Sequence, residues 1–113
     1  MTDETIDRAT FDGLVDTTGS DFVRELVATF VAEAPRMLDD MRDALAKGDA
    51  ERFRRAAHSL KSNANTFGAL SLGAMAKALE LGGLAFAKTG APIAEAADEY
   101  ARAAAQLEDL ARA

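Results

Sequence analysis

The sequence predicts an all-α protein, an antiparallel four-helix bundle with a short additional helix at its N-terminus. Apolar residues recur every three or four positions along most of the chain, which is the spacing of one helix face. Residues of high helix propensity dominate, and no alternating run of β-branched residues indicates a strand. Four long amphipathic segments joined by short turns are typical of such a bundle.

The first two predicted helices cover residues 8–17 and 21–47. A Thr-Thr-Gly-Ser stretch ends the first, and Ser20 or Asp21 is suited to cap the second. Pro35 lies inside the second helix and removes one backbone hydrogen bond, although the apolar stripe stays in phase on both sides of it. We therefore expect a kink at Pro35, with a clean break as the alternative.

The other three predicted helices cover residues 50–67, 70–88 and 92–110. Gly68 ends or bends the first of them. The two consecutive glycines at 82 and 83 lower helix propensity by about 1 kcal/mol each relative to alanine. The C-terminal end of the fourth helix is therefore the weakest boundary.

Residues at the helix starts agree with these boundaries. Asp49 is suited to cap the third helix, and Pro92 suits the first position of the last helix. A length of 113 residues corresponds to about one domain, and no internal repeat or linker divides the chain. We expect residues 1–113 to form a single domain.

Composition narrows the classes of function. A net charge of −6 disfavours general nucleic-acid binding, and the absence of cysteine excludes a disulfide framework or a thiolate zinc site. The acidic, polar start is unlike a signal peptide, and no stretch of 18 apolar residues indicates a membrane span. We expect a cytoplasmic protein whose partner is another protein, and neither a nucleic acid nor a membrane.

The chain's one histidine, His58, lies in the third predicted helix. On a helical wheel of about 100° per residue, Leu60 and Phe53 fall on nearly the opposite side, so His58 is predicted to be exposed. The residues that share its face are small, polar or basic: Arg54, Arg55, Lys61, Ser62 and Asn65.

The charges near His58 are of one sign in the sequence. No acidic residue occurs between Glu51 and Glu80, and 13 of the 19 acidic residues precede position 52. His58 is thus predicted to lie in a basic collar formed by Arg54, Arg55 and Lys61. An exposed imidazole in this setting suits a covalent phosphoryl group, because the nitrogen needs open approach and the dianion gains from nearby cations.

The residues around His58 resemble the signature of the histidine-containing phosphotransfer (HPt) domains of bacterial two-component phosphorelays. That signature is roughly His-x-Leu-Lys-Gly followed by a second glycine. Here it reads His58, Ser59, Leu60, Lys61, Ser62 and Gly68. The resemblance extends over essentially the whole chain, because these domains are four-helix bundles of about this length. Ser62 departs from the usual glycine, and we expect only a more crowded or more polar docking surface there.

The resemblance implies that His58 is the phosphoacceptor and that Lys61 stabilises its phosphoryl group. Glu80 follows His58 by 22 residues, the spacing at which phosphotransfer domains of chemotaxis-type kinases have a glutamate bonded to the second ring nitrogen. Water or Lys77 are alternative partners of Glu80. The residues expected to dock a partner are Arg54, Arg55, Ser62 and Asn65.

The implied function is to carry a phosphoryl group between receiver-domain aspartates. The expected partners are receiver domains of response regulators, of a hybrid histidine kinase, or of both. We expect a monomeric carrier without kinase activity of its own and without a cofactor, since magnesium belongs in the partner receiver domain.

Two other site chemistries are disfavoured, and one alternative function stays open. A metal site in a helical bundle needs several inward Glu and His side chains, which a single outward histidine does not supply. Ser59 lies about 100° around the helix from His58, and no acid is placed to orient a Ser-His pair. The open alternative is a non-phosphorylated module of the same fold that docks a receiver domain or a kinase.

Overall fold

The computed structural model describes residues 5–112, which contain five α-helices and no strand. The helices are α1 (Arg8–Thr18), α2 (Ser20–Lys47), α3 (Ala50–Thr66), α4 (Leu70–Phe86) and α5 (Ala91–Arg112). The predicted all-α class is confirmed, and each boundary lies within about two residues of its predicted position. None of the five helices has the length and apolar character needed to span a membrane.

The four long helices surround one hydrophobic core. α2 packs against α3 and α5, α4 packs against the same two helices, and α1 packs on α2 and α3. The apolar stripe predicted for α3 is buried as expected. The largest fully buried side chains are Ile6, Val23, Met41, Phe53, Leu60, Leu72, Leu79, Ile93 and Leu107.

The start of α2 differs from the prediction that Ser20 or Asp21 caps it. α2 already begins at Ser20, its N-cap is Gly19, and no side chain makes the cap hydrogen bond. Gly19 alone separates α1 from α2, and its φ of 91° and ψ of 149° suit glycine. Because this single residue makes the whole turn, the cap position falls on a residue without a side chain.

The starts of α3 and α5 follow the predicted chemistry more closely. The side chain of Asp49 accepts a hydrogen bond from the backbone N–H of Arg52, so the predicted cap of α3 is confirmed. Pro92 is the second residue of α5, because the helix begins at Ala91. The hydroxyl of Thr89 accepts a hydrogen bond from the Ala91 N–H at 3.2 Å.

α2 continues through Pro35 as one helix of 28 residues, so the chain does not break there. Proline has no N–H, and the carbonyl of Val31, four residues earlier, therefore lacks its helical donor. The hydroxyl of Tyr100 in α5 donates a hydrogen bond to that carbonyl at 2.8 Å. The same ring lies edge-on to Phe30, with ring centroids 5.8 Å apart. α5 thus supplies the hydrogen bond that Pro35 removes from α2.

α4 is interrupted near its C-terminal end, where the sequence predicts a weak boundary. Gly83 has φ 64° and ψ −157°, which is not helical, so the chain bends between two helical segments. Phe86 lies directly over Gly82, where a Cβ atom would overlap the Phe86 side chain. The two glycines therefore have different roles, since one makes the bend and the other makes room for the ring.

Gly68 forms the turn between α3 and α4 and contacts the N-terminal segment. Its φ is 86°, and a Cβ atom there would lie 2.7 Å from the carbonyl oxygen of Asp7. The Gly68 carbonyl accepts a hydrogen bond from the Asp7 N–H at 2.8 Å. The backbone conformation and this close approach both require glycine at position 68.

Candidate functional site

α3 carries the candidate site on the side that faces away from the core. Phe53, Leu60 and Ala64 are buried, whereas the side chain of His58 is 53% exposed. The helical phase predicted from the sequence is therefore confirmed. His58 lies in the middle of α3, with about half of its side chain open to solvent.

One ring nitrogen of His58 is held by α4. His58 Nδ1 lies 2.8 Å from Glu80 Oε2, and Lys61 Nζ lies 2.7 Å from Glu80 Oε1. Only 12% of the Glu80 side chain is exposed, and its Oε1 atom is shielded from solvent. Glu80 pairs with Lys61 and not with Lys77 one turn earlier in α4, the alternative left open by the sequence. The three side chains join α3 to α4 at the site.

The ionisation of Glu80 determines which His58 nitrogen is free. The Lys61 ammonium, 2.7 Å from the carboxylate, together with the hydrogen bond from His58 and the charges of both groups, lowers the pKa of Glu80 below its ordinary value of 4.5. Glu80 is therefore a carboxylate near neutral pH and can only accept hydrogen bonds. His58 must donate from Nδ1, so the neutral ring carries its proton there. The lone pair of Nε2 then takes no part in the contact with Glu80.

The basic collar carries less free positive charge than the sequence suggests. Arg54 forms an ion pair with Glu51 at 2.7 Å, and Lys61 is paired with Glu80. Arg55 is exposed and makes no ion pair with any of residues 5–112. Sequence reasoning missed the pairing of Arg54 because it treated the interval after Glu51 as free of acid, although Glu51 itself is three residues from Arg54.

The other two predicted docking residues lie on the same face of α3. Ser62 is exposed one turn beyond His58. Asn65 is also exposed, and its amide lies so close to Gly73 of α4 that a Cβ atom at position 73 would overlap it. Asn65 therefore lies at the contact between α3 and α4, and Gly73 allows the two helices to approach each other.

A groove between α2 and α3 lies beside His58 and was not predicted. One cavity of about 330 Å³ includes Arg55 and Ser59, which flank the histidine along α3. A second cavity of about 270 Å³ continues the groove, and Met37 lines both. The second is more apolar, being lined by Leu26, Thr29, Phe30, Glu33, Met37, Asn63, Thr66 and Phe67. The sequence signal for this groove is the set of half-buried residues at the edges of the apolar stripes of α2 and α3.

A cluster of ion pairs joins α2 to α3 at one end of this groove. Arg52 of α3 pairs with Asp40 of α2 at 2.8 Å and also with Asp43. Asp43 pairs in addition with Lys47 at 3.1 Å. The contact with Lys47, followed by that with Arg52, lowers the pKa of Asp43.

Within residues 5–112 no group of three or more His, Asp or Glu side chains is arranged to hold a metal ion.

Comparison with known proteins bears on the fold and on the family. The fold is similar to that of histidine-containing phosphotransfer protein B (HptB) from Pseudomonas aeruginosa PAO1, with a TM-score of 0.86 and 24% sequence identity over 98% of this chain and 97% of that one. No curated protein sequence matches the chain. The family model described as "Hpt domain" matches residues 25–113, well over half of the chain and including His58, Lys61 and Glu80. The chain therefore belongs to the Hpt domain family.

Proposed function

We propose that this protein is a phosphocarrier that accepts a phosphoryl group on His58 Nε2 and passes it between receiver-domain aspartates in a two-component phosphorelay. The observation that carries the proposal is the pairing of His58 Nδ1 with the Glu80 carboxylate at 2.8 Å, on a ring that is otherwise open. Membership of the Hpt family supports it.

The transfer step follows from the state of the ring. The Nε2 lone pair attacks the phosphorus of a phospho-aspartate, the N–P bond forms, and the bond from phosphorus to the aspartate oxygen breaks. The aspartate leaves as a carboxylate, and the phosphorylated ring keeps its Nδ1 proton as an imidazolium. Glu80 faces that positive charge, so it stabilises the ring more after transfer than before. The return step reverses these bonds onto a second aspartate.

Lys61 and Glu80 have linked roles in this proposal. In the structure the positive charge of Lys61 balances the negative charge of Glu80 and favours the ionised form of that carboxyl group. When His58 carries a dianionic phosphoryl group, the same ammonium gains a second anion nearby, as expected for phosphoryl stabilisation. Glu80 acts through His58 and is a positioning residue.

The partner is expected to be a receiver domain that supplies the magnesium ion needed for aspartate chemistry. Arg54, Arg55, Ser62 and Asn65 lie on the face that this partner would cover, and the exposed cations should raise its association rate. We further propose that residues 1–113 act as a monomeric unit in the cytoplasm. In that unit α2 to α5 form an antiparallel four-helix bundle with α1 packed on it, which the contacts of α2 and α4 with α3 and α5 support.

The direct test is to incubate the protein with a small phosphodonor such as phosphoramidate, and separately with phosphorylated receiver domains. The expected product is one phosphoryl group per chain, labile in acid and stable in base. Phosphorus NMR should place this group on Nε2 of His58. The matched control is His58→Gln, which removes the nucleophile from an exposed position.

The same experiment decides against the open alternative. A module that only docks receiver domains would bind them without acquiring phosphate from either donor. Phosphate attached at Nδ1 would contradict the role of Glu80, because that nitrogen is the one Glu80 holds.

A further inference from the structure

The cations of the basic collar differ in whether a carboxylate already holds them. Lys61 pairs with Glu80 at 2.7 Å, and Arg54 pairs with Glu51 through two contacts of 2.7 and 3.0 Å. Arg55 is exposed and makes neither an ion pair nor a side-chain hydrogen bond with any of residues 5–112. Within that part of the chain, Arg55 is therefore the collar cation whose donors are still open.

Arg52, the other arginine near the start of α3, is held by α2. It pairs with Asp40 at 2.8 Å and also with Asp43, and both carboxylates raise the pKa of Arg52. On a wheel of about 100° per residue, Arg52 lies about 120° from His58. Arg52 therefore balances acidic charge on α2 and does not add a cation to the His58 site.

Lys61 and Arg55 lie on opposite sides of His58. On the same wheel each is about 60° from the histidine, in opposite directions. The Lys61 side faces α4, where Glu80 contacts both Lys61 and His58 Nδ1. The Arg55 side faces α2, because Arg55 lines the cavity of about 330 Å³ together with Met37. The histidine ring is thus held from the α4 side, and Arg55 lies on the other side.

Helix geometry brings the His58 ring toward Arg55. Side chains of an α-helix lean toward its N-terminus, so the ring lies over the turn that contains Arg55, three residues earlier. Side chains at this spacing have Cβ atoms about 5–6 Å apart, which is within the reach of an arginine. Nδ1 is taken by Glu80, so a phosphoryl group is attached at Nε2, the nitrogen that does not contact that carboxylate.

The chemistry of a guanidinium suits this position. A phosphoryl group carries nearly two negative charges near neutral pH and presents three acceptor oxygens. The planar fork of donors on arginine matches such oxygens in pairs. Arg54 would have to leave Glu51 to make these bonds, whereas Arg55 has no ion pair to break within residues 5–112. The charge of Arg55 is the smallest of the causes that lower the pKa of Glu51.

We propose that Arg55 binds the phosphoryl group of phosphorylated His58 directly, through its guanidinium donors and from the α2 side of the ring. This proposal rests on the proposed function. It gives Arg55 a role in the free protein, in addition to its expected contact with a partner. Arg54 stays paired with Glu51 and does not contact the phosphoryl group.

The first test measures the second ionisation of the phosphoryl group after phosphoramidate has modified His58. Arg55→Gln is compared with Arg54→Gln, which removes the same charge from the adjacent exposed position. A cation in contact favours the dianion, so the pKa of the phosphoryl group, followed by phosphorus NMR, should rise by about 0.5–1 pH unit in Arg55→Gln. Arg54→Gln should raise it by at most about 0.2, because more distant charges are screened at ordinary ionic strength.

The conservative variant separates the charge of Arg55 from its shape. Arg55→Lys keeps a cation at the same position and should restore most of the lowered pKa of the phosphoryl group. The free energy of unfolding of all three variants, measured by urea titration, should stay within about 0.5 kcal/mol of wild type, since the positions are exposed.

A second test detects the contact without a variant at the site. Nitrogen NMR follows the Nε–H signals of the arginines before and after phosphorylation by phosphoramidate. The signal of Arg55, identified by its loss in Arg55→Lys, should shift on phosphorylation. The signal of Arg54 should stay nearly unchanged, because that side chain keeps its contact with Glu51.

Two results would overturn the proposal and leave the proposed function intact. One is a wild-type pKa of the phosphoryl group in Arg55→Gln. The other is a larger effect of Arg54→Gln than of Arg55→Gln, which would mean that Arg54 leaves Glu51 for the phosphoryl group. If phosphoramidate does not modify wild-type His58, the proposed function itself fails, and the role of Arg55 fails with it.

Discussion

The two faces of α3 differ in nearly every property although they belong to the same 17 residues. On one face Phe53, Leu60 and Ala64 are fully buried. On the other, His58 is exposed and makes a polar contact with Glu80 of α4. The residues that stabilise the fold and the residue proposed to carry the phosphoryl group therefore lie on opposite sides of one helix. Glu80 of α4 contacts His58 and connects the exposed side to the rest of the bundle.

This separation sets the expected size of each effect. Burial of a large aliphatic side chain contributes about 1.5–3 kcal/mol, whereas exposed side chains without special contacts change the free energy of unfolding by less than about 0.5 kcal/mol. Substitutions on the buried face should therefore change stability and leave phosphorylation unchanged. Side-chain changes on the exposed face should alter phosphorylation with little loss of stability, unless they also change the freedom of the backbone.

The largest effect is expected from His58→Gln. This change should abolish phosphorylation by phosphoramidate and by receiver domains, because no other nucleophile occupies that position. The free energy of unfolding, measured by urea titration, should change by less than about 0.5 kcal/mol, since the side chain is outside the core. A loss of several kcal/mol would contradict the separation of the two faces.

On the opposite face, Leu60→Ala should lower the free energy of unfolding by about 2–5 kcal/mol, because Leu60 is fully buried. Under conditions in which the variant is folded, phosphoramidate should modify its His58 at close to the wild-type rate. Denaturant titration and phosphorylation kinetics on the same samples provide the check. A tenfold slower modification of the folded variant would show that the faces are coupled.

Tyr100→Phe tests whether a change between α2 and α5, outside α3, also affects stability without affecting phosphorylation. The change leaves the Val31 carbonyl without the donor that replaces the missing N–H of Pro35. We expect a loss of about 1–3 kcal/mol in the free energy of unfolding and no change in phosphorylation. In a Pro35→Ala background the loss should shrink, because the alanine introduced there supplies its own backbone N–H. Equal losses in both backgrounds would show that the Tyr100 hydrogen bond does not compensate for the N–H that Pro35 lacks.

Glu80→Gln should lower the rate of His58 phosphorylation about tenfold, since a hydrogen bond to a neutral amide replaces one to a charged group. The variant should also change the pH dependence of stability. Because the folded-state pKa of Glu80 is lowered, its contribution is present above the unfolded pKa near 4.5 and is lost as pH falls through the lower folded pKa. Glu80→Gln should thus lose less stability than wild type below pH about 4.5.

The control for Glu80→Gln is Glu95→Gln, at an exposed position of α5. This variant removes one carboxylate away from His58 and should keep the wild-type phosphorylation rate. Wild-type behaviour of Glu80→Gln in both measurements would remove Glu80 from the mechanism.

The smallest effect is expected from Ser62→Gly, on the exposed face. Added backbone freedom should lower the free energy of unfolding by about 0.5–1 kcal/mol. Transfer to receiver domains should stay equal or rise, because glycine opens the surface beside His58. Ser62→Gln is the matched variant and should slow that transfer without changing modification by phosphoramidate. If Ser62→Gln transfers at the wild-type rate, partners do not approach over this residue.

The division between the faces of α3 could be predicted from the sequence because it depends on local periodicity. The spacing of Phe53, Leu60 and Phe67 fixes the helical phase, and the phase places His58 outside. The Asp49 cap is equally local, since its hydrogen bond spans three residues. These features need no knowledge of how the helices pack.

The features that sequence reasoning missed depend on contacts between helices. The sequence places Arg52 in a cluster of basic residues, but Arg52 pairs with Asp40 twelve positions earlier in α2. The hydroxyl of Tyr100 bonds a carbonyl 69 positions away. At Gly83 the sequence indicates only low helix propensity. The direction of the bend there depends on the packing of Phe86, which the sequence does not give. Helix phase alone does not determine which side chains of two helices meet.

The hydrogen bond from Tyr100 to Val31 also makes one order of acquiring Tyr100 and Pro35 less costly in stability than the other. A chain that acquired Pro35 first would have left a carbonyl in the helix without a donor. A chain that acquired Tyr100 first would have lost little, because a carbonyl oxygen has two lone pairs and can accept a second donor. Tyrosine before proline is therefore the path with the smaller loss of stability, and reversion of Tyr100 becomes costly once Pro35 is present.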